Sequence, residues 1–189
     1  QYFKDGNAEE QKLAQDIDRL WKEVEWNWYQ KDGQDVLYWH WSPDYGWEMN
    51  FPVEGYNECL VMYILAASSP TYPIPAEAYH KGWARSGGIV SENTKYGLPL
   101  VLSHNGAQEY GGPLFWAHYS YFGLCPKGLK DQYADYWQLN VSHSLIDYNY
   151  CVENPKGFKG YGPDCWGLTA SYTVDGYTAH MPGNDHGVI

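Results

Sequence analysis

A chain of 189 residues, 44% hydrophobic and 19% charged, is long enough to bury one core or to form part of a larger domain. Its formal net charge of −11 repels the phosphates of nucleic acid and anionic membrane surfaces. No apolar run reaches the roughly 18 residues that a bilayer-spanning helix needs, so the composition excludes a spanning helix and leaves neutral ligands as the better partners.

Residues from about Ala8 to Tyr29 place Leu13, Ile17, Leu20, Trp21, Val24 and Trp28 at spacings of three and four, which predicts an amphipathic helix. From Lys31 to Pro52 the periodicity stops and Gly, Pro, Asp and Trp accumulate, predicting a long structured loop of the kind that is often functional. A second helix is expected from about Glu54 to Ser68, closed by Pro70. An irregular region then runs to Gly112, with turns at Gly87, Gly88, Asn105 and Gly106; within it, Leu98 to Leu102 reads equally as a short strand or a buried connector. Pro113 is a favourable first-turn residue for a third helix that ends near Gly123. A fourth runs from about Leu129 to Val152, with Tyr133, Trp137, Val141, Leu145 and Tyr148 on related faces, and a fifth begins near Asp164 and continues through Trp166. The last residues are loop-like.

Helices alternating with rich loops predict an all-α chain, either a plain bundle or a piece of an α/α toroid, in which helical hairpins form concentric rings around a pocket built by loops. Cys59, Cys125, Cys151 and Cys165 are widely spaced with no CxxC pair, which argues against zinc; if one disulfide forms, the three pairings of four cysteines are not separable. His40, His80, His104 and His143 lie in unrelated contexts, so no metal or other cofactor is expected.

The stretch from Tyr38 to Glu58 is the most informative in the chain. It sets Tyr38, Trp39, Trp41, Tyr45, Trp47 and Tyr56 beside the acids Asp44, Glu48, Glu54 and Glu58. Aromatic faces with polar edges stack on sugar rings, and carboxylates bind hydroxyls or move protons. Glu58 is the leading catalytic candidate. It is four residues from Glu54, which on a helix puts both on one face in the first turns; acids also occupy first turns for stability alone. Asn57 precedes it. Glycoside hydrolysis needs two carboxyl groups, and the candidate partners here are Glu48, Asp44, Asp164 and Glu109, with Asp164 also readable as a helix cap. Two further helix starts repeat the mixture of glycine and tryptophan: one carries Trp116, His118, Tyr119 and Tyr121 after Gly111-Gly112-Pro113, the other Asp164 and Trp166. Glycines at a helix start let a ligand or a backbone come close.

SPDYGWEMNFPVEGYNECLVMYILAASSP, GGPLFWAHYSYFG and GPDCWGLTASYTVDGYTAHMP, in that order, resemble the glucoamylase-like family of bacterial proteins, which includes endo-β-1,2-glucanases. The resemblance covers Tyr38 to Ile189, and the preceding helix fits it. It implies an (α/α)6 barrel, an inverting glycosidase acting on a β-glucan, export to the periplasm or cell surface, and Glu58 of the GYNE element as the catalytic acid. It further implies that Trp41, Trp47, Glu48, Glu54, Asn57, Trp116, His118, Tyr119 and Trp166 line sugar subsites. Members of the family are about twice as long, with an acidic Asp-x-x-Glu helix upstream of this chain's start. The chain is therefore expected to be part of a barrel, about its C-terminal half, with the N-terminal segment of the same barrel as its missing partner and little activity alone. Two rivals stand beside hydrolysis. A non-catalytic glycan-binding protein would keep the aromatic platforms without an acid pair. A phosphorylase would need an anion site, and the motifs carry few cations.

Overall fold

The computed structural model describes residues 2–104 and 109–189; Asn105 and Gly106, expected above to mark a turn, lie outside them. The first helix, α1, spans Ala8–Glu23. Asn7 starts it with a reciprocal cap: its side-chain oxygen accepts the Glu9 and Glu10 N–H groups at 3.0 and 3.1 Å, and the Glu10 carboxylate accepts the Asn7 N–H at 2.8 Å. The helix ends six residues before Tyr29 because Val24 is extended, and the chain resumes as a 3-10 turn over Trp26–Gln30. No α1 residue is buried; Leu13, Ile17 and Leu20 form an exposed stripe. One tie to the core is the Trp21 indole N–H, which donates to the Leu65 carbonyl at 3.2 Å.

The second helix is shorter than the periodicity predicts. α2 spans Leu60–Ala67, not Glu54 to Ser68. The reason lies in long-range backbone bonds. Gly55 sits at φ +83 and its N–H donates to the Trp83 carbonyl at 2.8 Å, while the Tyr56 N–H donates to the Ser103 carbonyl at 3.1 Å. With those groups engaged across the fold, Gly55 and Tyr56 stay out of the helix, the chain bends through Asn57 and turns at Glu58 before α2, and Glu54 and Glu58 do not share a helix face.

Around α2 the main core assembles from Leu37, Val53, Tyr56, Tyr63, Trp83, Ile89, Leu102, Tyr136 and Leu139. The buried Tyr63 hydroxyl accepts the Leu37 N–H at 2.9 Å and donates to the Val53 carbonyl at 2.8 Å, joining both arms of the aromatic loop to α2. A π-helical turn over Ala78–Trp83 stacks Tyr79 on Trp83, with centroids 5.4 Å apart. β1 (Val90–Lys95) and β2 (Leu98–Leu102) form an antiparallel pair, so the segment from Leu98 is a strand, and β2 packs on the fourth helix.

α3 (Leu114–His118) begins directly after Pro113, as expected, and tightens into a 3-10 turn over Tyr119–Phe122. α4 spans Tyr136–Glu153. It starts later than predicted because Asp131 draws the Tyr133 and Ala134 N–H groups to its carboxylate at 2.8 and 2.9 Å, closing a loop, and Asp135 then caps the helix.

The fifth helix does not form. Gly162–Cys165 is a turn in which Asp164 is exposed and caps nothing, and beyond it β3 (Ala170–Thr173) and β4 (Gly176–Ala179) make an antiparallel hairpin. Alternating Tyr and Thr around an Asp175-Gly176 turn favour strands over a helix. The all-α expectation is thus corrected to helices with two small two-stranded sheets among the described residues. All four cysteines are free thiols, so none of the three pairings is made.

Candidate functional site

Glu58 is held by its backbone. Just ahead of it the buried Asn57 folds the chain on itself, its amide oxygen accepting the Cys59 N–H at 2.9 Å and its amide N–H₂ donating to the Glu54 carbonyl at 3.3 Å. The Glu58 carbonyl accepts the Ser120 hydroxyl at 2.6 Å, and the same oxygen of Ser120 accepts the Val61 N–H at 3.1 Å. One buried hydroxyl therefore joins the turn before α2 to the 3-10 turn after α3.

The Glu58 side chain lines a pocket of about 160 Å³ with Trp39, Phe51, Val53, Asn57, Cys59, His104 and Trp116. Burial raises the pKa of Glu58, partly offset by its own N–H, so the carboxyl keeps its proton to higher pH than a free glutamate. Burial likewise pushes the Cys59 thiol up to about 12, aided by the Glu58 charge, which makes this thiol a packing group rather than a nucleophile.

Three segments build the walls. The arms of the aromatic loop pair at Tyr38 and Pro52, the Trp39 N–H donates to the Phe51 carbonyl at 2.9 Å, and the two rings meet edge to face at 6.1 Å. His104, at the end of β2, pairs with Gly55 and lays its ring on Trp116 at 4.4 Å between centroids. Burial lowers the pKa of His104, favouring a neutral ring on the aromatic wall. Trp116 comes from α3, and Gly112 makes room for it: a Cβ there would stand 2.3 Å from the indole. The glycine pair before α3 admits protein rings. Behind the pocket the Tyr56 hydroxyl meets His143 Nδ1 at 3.1 Å, and His143 Nε2 meets the Gly112 carbonyl at 2.8 Å. Complete burial pushes His143 down to about 4.

Of the residues singled out in the sequence, the structure brings Asn57, Glu58 and Trp116 to one pocket. Trp41 and Trp47 stand instead in a second aromatic group, where Trp47 packs against Trp28, Tyr29 and Tyr38 and Trp41 meets Trp28 edge to face. Glu48 and Asp44 are exposed on the turns of the same loop. Glu54 lies in no helix or strand, six residues before α2, away from the helix face expected for it. His118 bonds Ser144 at 2.9 Å and lines a different groove with Trp137 and Phe122. Tyr119 packs on Phe115 and Phe122, Trp166 meets Tyr148 edge to face, and Glu109 pairs with Lys95. Among the described residues Glu58 is the single carboxylate lining its pocket. Trp39, one of the aromatics of the stretch singled out in the sequence, also lines this pocket, whereas Phe51 and His104 carry no assignment from the sequence. Trp39 and Phe51 flank the base of the loop and were open to a pairing argument; His104 reaches the site through a strand pairing that no local pattern announces.

The family model described as "Putative glucoamylase" matches residues 50–189. An exo β-1,2-glucooligosaccharide sophorohydrolase of Parabacteroides distasonis is 40% identical over 172 residues, spanning 82% of this chain and 23% of that protein. Among solved structures, an endo-β-1,2-glucanase of Chitinophaga pinensis, in complex with sophorotriose and glucose, is 65% identical with a TM-score of 0.92; the match covers 97% of this chain and 44% of that one. A β-1,2-glucanase of Parabacteroides distasonis is 41% identical with a TM-score of 0.87, over 98% of this chain and 29% of that one. The chain thus spans less than half the length of each of these relatives.

Proposed function

We propose that this chain, which belongs to the glucoamylase-like family, carries the general acid of an inverting hydrolase of β-1,2-linked glucan, Glu58, on part of an (α/α)6 toroid. The observation that carries this reading is a half-buried carboxyl, fixed by its backbone in an aromatic pocket, whose pKa burial raises. A carboxyl that keeps its proton above the ordinary carboxylate range can donate to the departing glycosidic oxygen, directly or through a substrate hydroxyl. Trp116, Trp39 and Phe51 offer faces for sugar rings, and Asn57 a polar edge. The names of the relatives support a β-1,2-glucan as the substrate class. Inversion requires a second carboxylate roughly 6.5–9.5 Å from the first, to activate water on the opposite face of the sugar. We assign that base to a part of the barrel outside these 189 residues, because Glu58 is alone in the pocket among the described residues.

The test is Glu58→Gln in the intact protein, assayed on β-1,2-glucan with product analysis. Turnover is expected to fall by at least about 100-fold, the lower range for loss of a general acid. In the wild type, activity should persist above the ordinary carboxylate range and fall as pH rises through the raised Glu58 pKa. Turnover within a few fold of wild type in Glu58→Gln removes the acid assignment. That same solitary carboxylate favours one second reading, a glycan-binding protein on the same scaffold; sugar binding without turnover in the intact protein would select it.

A further inference from the structure

Behind the Glu58 pocket lies a buried polar line that acid chemistry does not use: Tyr56, His143 and the Gly112 carbonyl. A carbonyl can only accept, so the hydrogen between His143 and Gly112 sits on His143 Nε2. In a neutral ring Nδ1 then holds a lone pair, and the Tyr56 hydroxyl donates to it at 3.1 Å. His143 has no exposed surface and Tyr56 is 3% exposed, so both ring nitrogens find their partners inside the protein. Only the Nε2–H tautomer satisfies both contacts.

What this line connects gives it meaning. Tyr56 lies two residues before Glu58, and Gly112 lies just before the helix that delivers Trp116 to the same pocket. The approach is tight on each side. A Cβ on Gly111 would stand 3.2 Å from the imidazole, and one on Gly112 would strike Trp116. His143 itself comes from α4, a third element, fixed by its own packing.

We propose that His143 is a positioning residue for the Glu58 pocket: as a neutral Nε2–H imidazole it ties the Tyr56 segment to the Gly112 turn and so sets the acid against the Trp116 wall. This inference rests on the hydrolase reading above. Tyr56→Phe removes one hydroxyl and keeps the ring; in the intact protein kcat on β-1,2-glucan is expected to fall about 10-fold, with KM within about twofold, because a small misplacement of a reacting group costs rate more than binding. His143→Gln retains a donor for Gly112 but offers Tyr56 no ring nitrogen, so it should fall similarly, and the double variant no further than either single one. Nitrogen-15 NMR at neutral pH should find His143 protonated at Nε2 alone.

A purely structural histidine gives a different pattern, in which the unfolding midpoint drops while kcat at low temperature stays at the wild-type value. That result, additive losses in the double variant, or an Nδ1–H tautomer overturns the proposal. Glu58→Gln run alongside separates the two readings. If it keeps wild-type turnover, the acid assignment falls and the positioning role falls with it. If it is inactive while Tyr56→Phe has wild-type kcat, the positioning role alone is overturned.

Discussion

Gly112→Ala puts the packing of the Trp116 wall to a quantitative test. Gly112 sits at φ +95, and an added Cβ would lie 2.3 and 2.4 Å from two atoms of the Trp116 ring. Two costs add. A side chain in left-handed backbone costs roughly 1–2 kcal/mol, and forcing a methyl into filled space roughly 1–3 kcal/mol more. The sum is about 2–5 kcal/mol, and at about 2–4 °C per kcal/mol for a domain of this size the unfolding midpoint should fall clearly. Gly160→Ala isolates the backbone share, since Gly160 has φ +102 and nothing within 4 Å of its would-be Cβ. Thermal and urea unfolding of both variants therefore gives the clash by difference. If Trp116 swings away to relieve it, the indole leaves His104, tryptophan fluorescence changes, and in the intact protein KM for the proposed substrate, β-1,2-glucan, rises. Equal midpoints for the two variants, with unchanged KM and fluorescence, would refute the claim that Gly112 is required for this ring.

Asp147, buried on α4 with its carboxylate accepting the Leu168 N–H at 3.0 Å, should make stability depend on pH. Burial, then the Asp185 charge, pushes its pKa from 3.8 up to about 7, above the unfolded value, so the stability of the protonated form is full below about pH 4 and is lost as pH rises toward 7. Asp147→Asn keeps the acceptor without the ionisation and should flatten that fall, worth about 4 kcal/mol at most; parallel midpoint-against-pH curves for variant and wild type would refute it. Ser120→Ala strands the Glu58 carbonyl and the Val61 N–H together, and should cost about 1–3 kcal/mol in urea unfolding. A loss below about 0.5 kcal/mol, the range of an ordinary surface change, would mean that water replaces the hydroxyl.

Residues whose chemistry is local were legible. Pro113 marked the start of α3; a helix up to Ser68 was legible too, but its expected start at Glu54 lies six residues before α2 begins. Glu58, Asn57 and Trp116 were picked out because acids, amides and indoles beside glycines are poor core residues and good ligands for sugars. The hairpin of β3 and β4 was readable too, from the Asp175-Gly176 turn between Tyr–Thr runs, but the helical rhythm of the preceding elements outweighed it. Glu54 was misplaced for another reason. A spacing of four means one face only if the chain is helical, and the bonds that keep Gly55 and Tyr56 out of the helix go to Trp83 and Ser103.

The aromatic loop shows the same division. Its composition declared a surface for flat, polar-edged ligands, yet only Trp39 and Phe51 reach Glu58, while Trp41 and Trp47 join Trp28. Which indole faces which wall depends on the pairing of the loop's two arms, and that pairing is an agreement between residues far apart in sequence. His104 and His143 carry no local mark of function for the same reason: one arrives by strand pairing with Gly55, the other from the buried face of α4. By itself the sequence determined which chemical groups the chain holds, where α1 and α3 begin, and which acid is worth testing, because propensity, capping and side-chain chemistry are properties of neighbours along the chain. Only the tertiary structure decided which of those groups share a pocket and which histidine stands behind the acid, because burial and long-range hydrogen bonds exist only once distant segments have met.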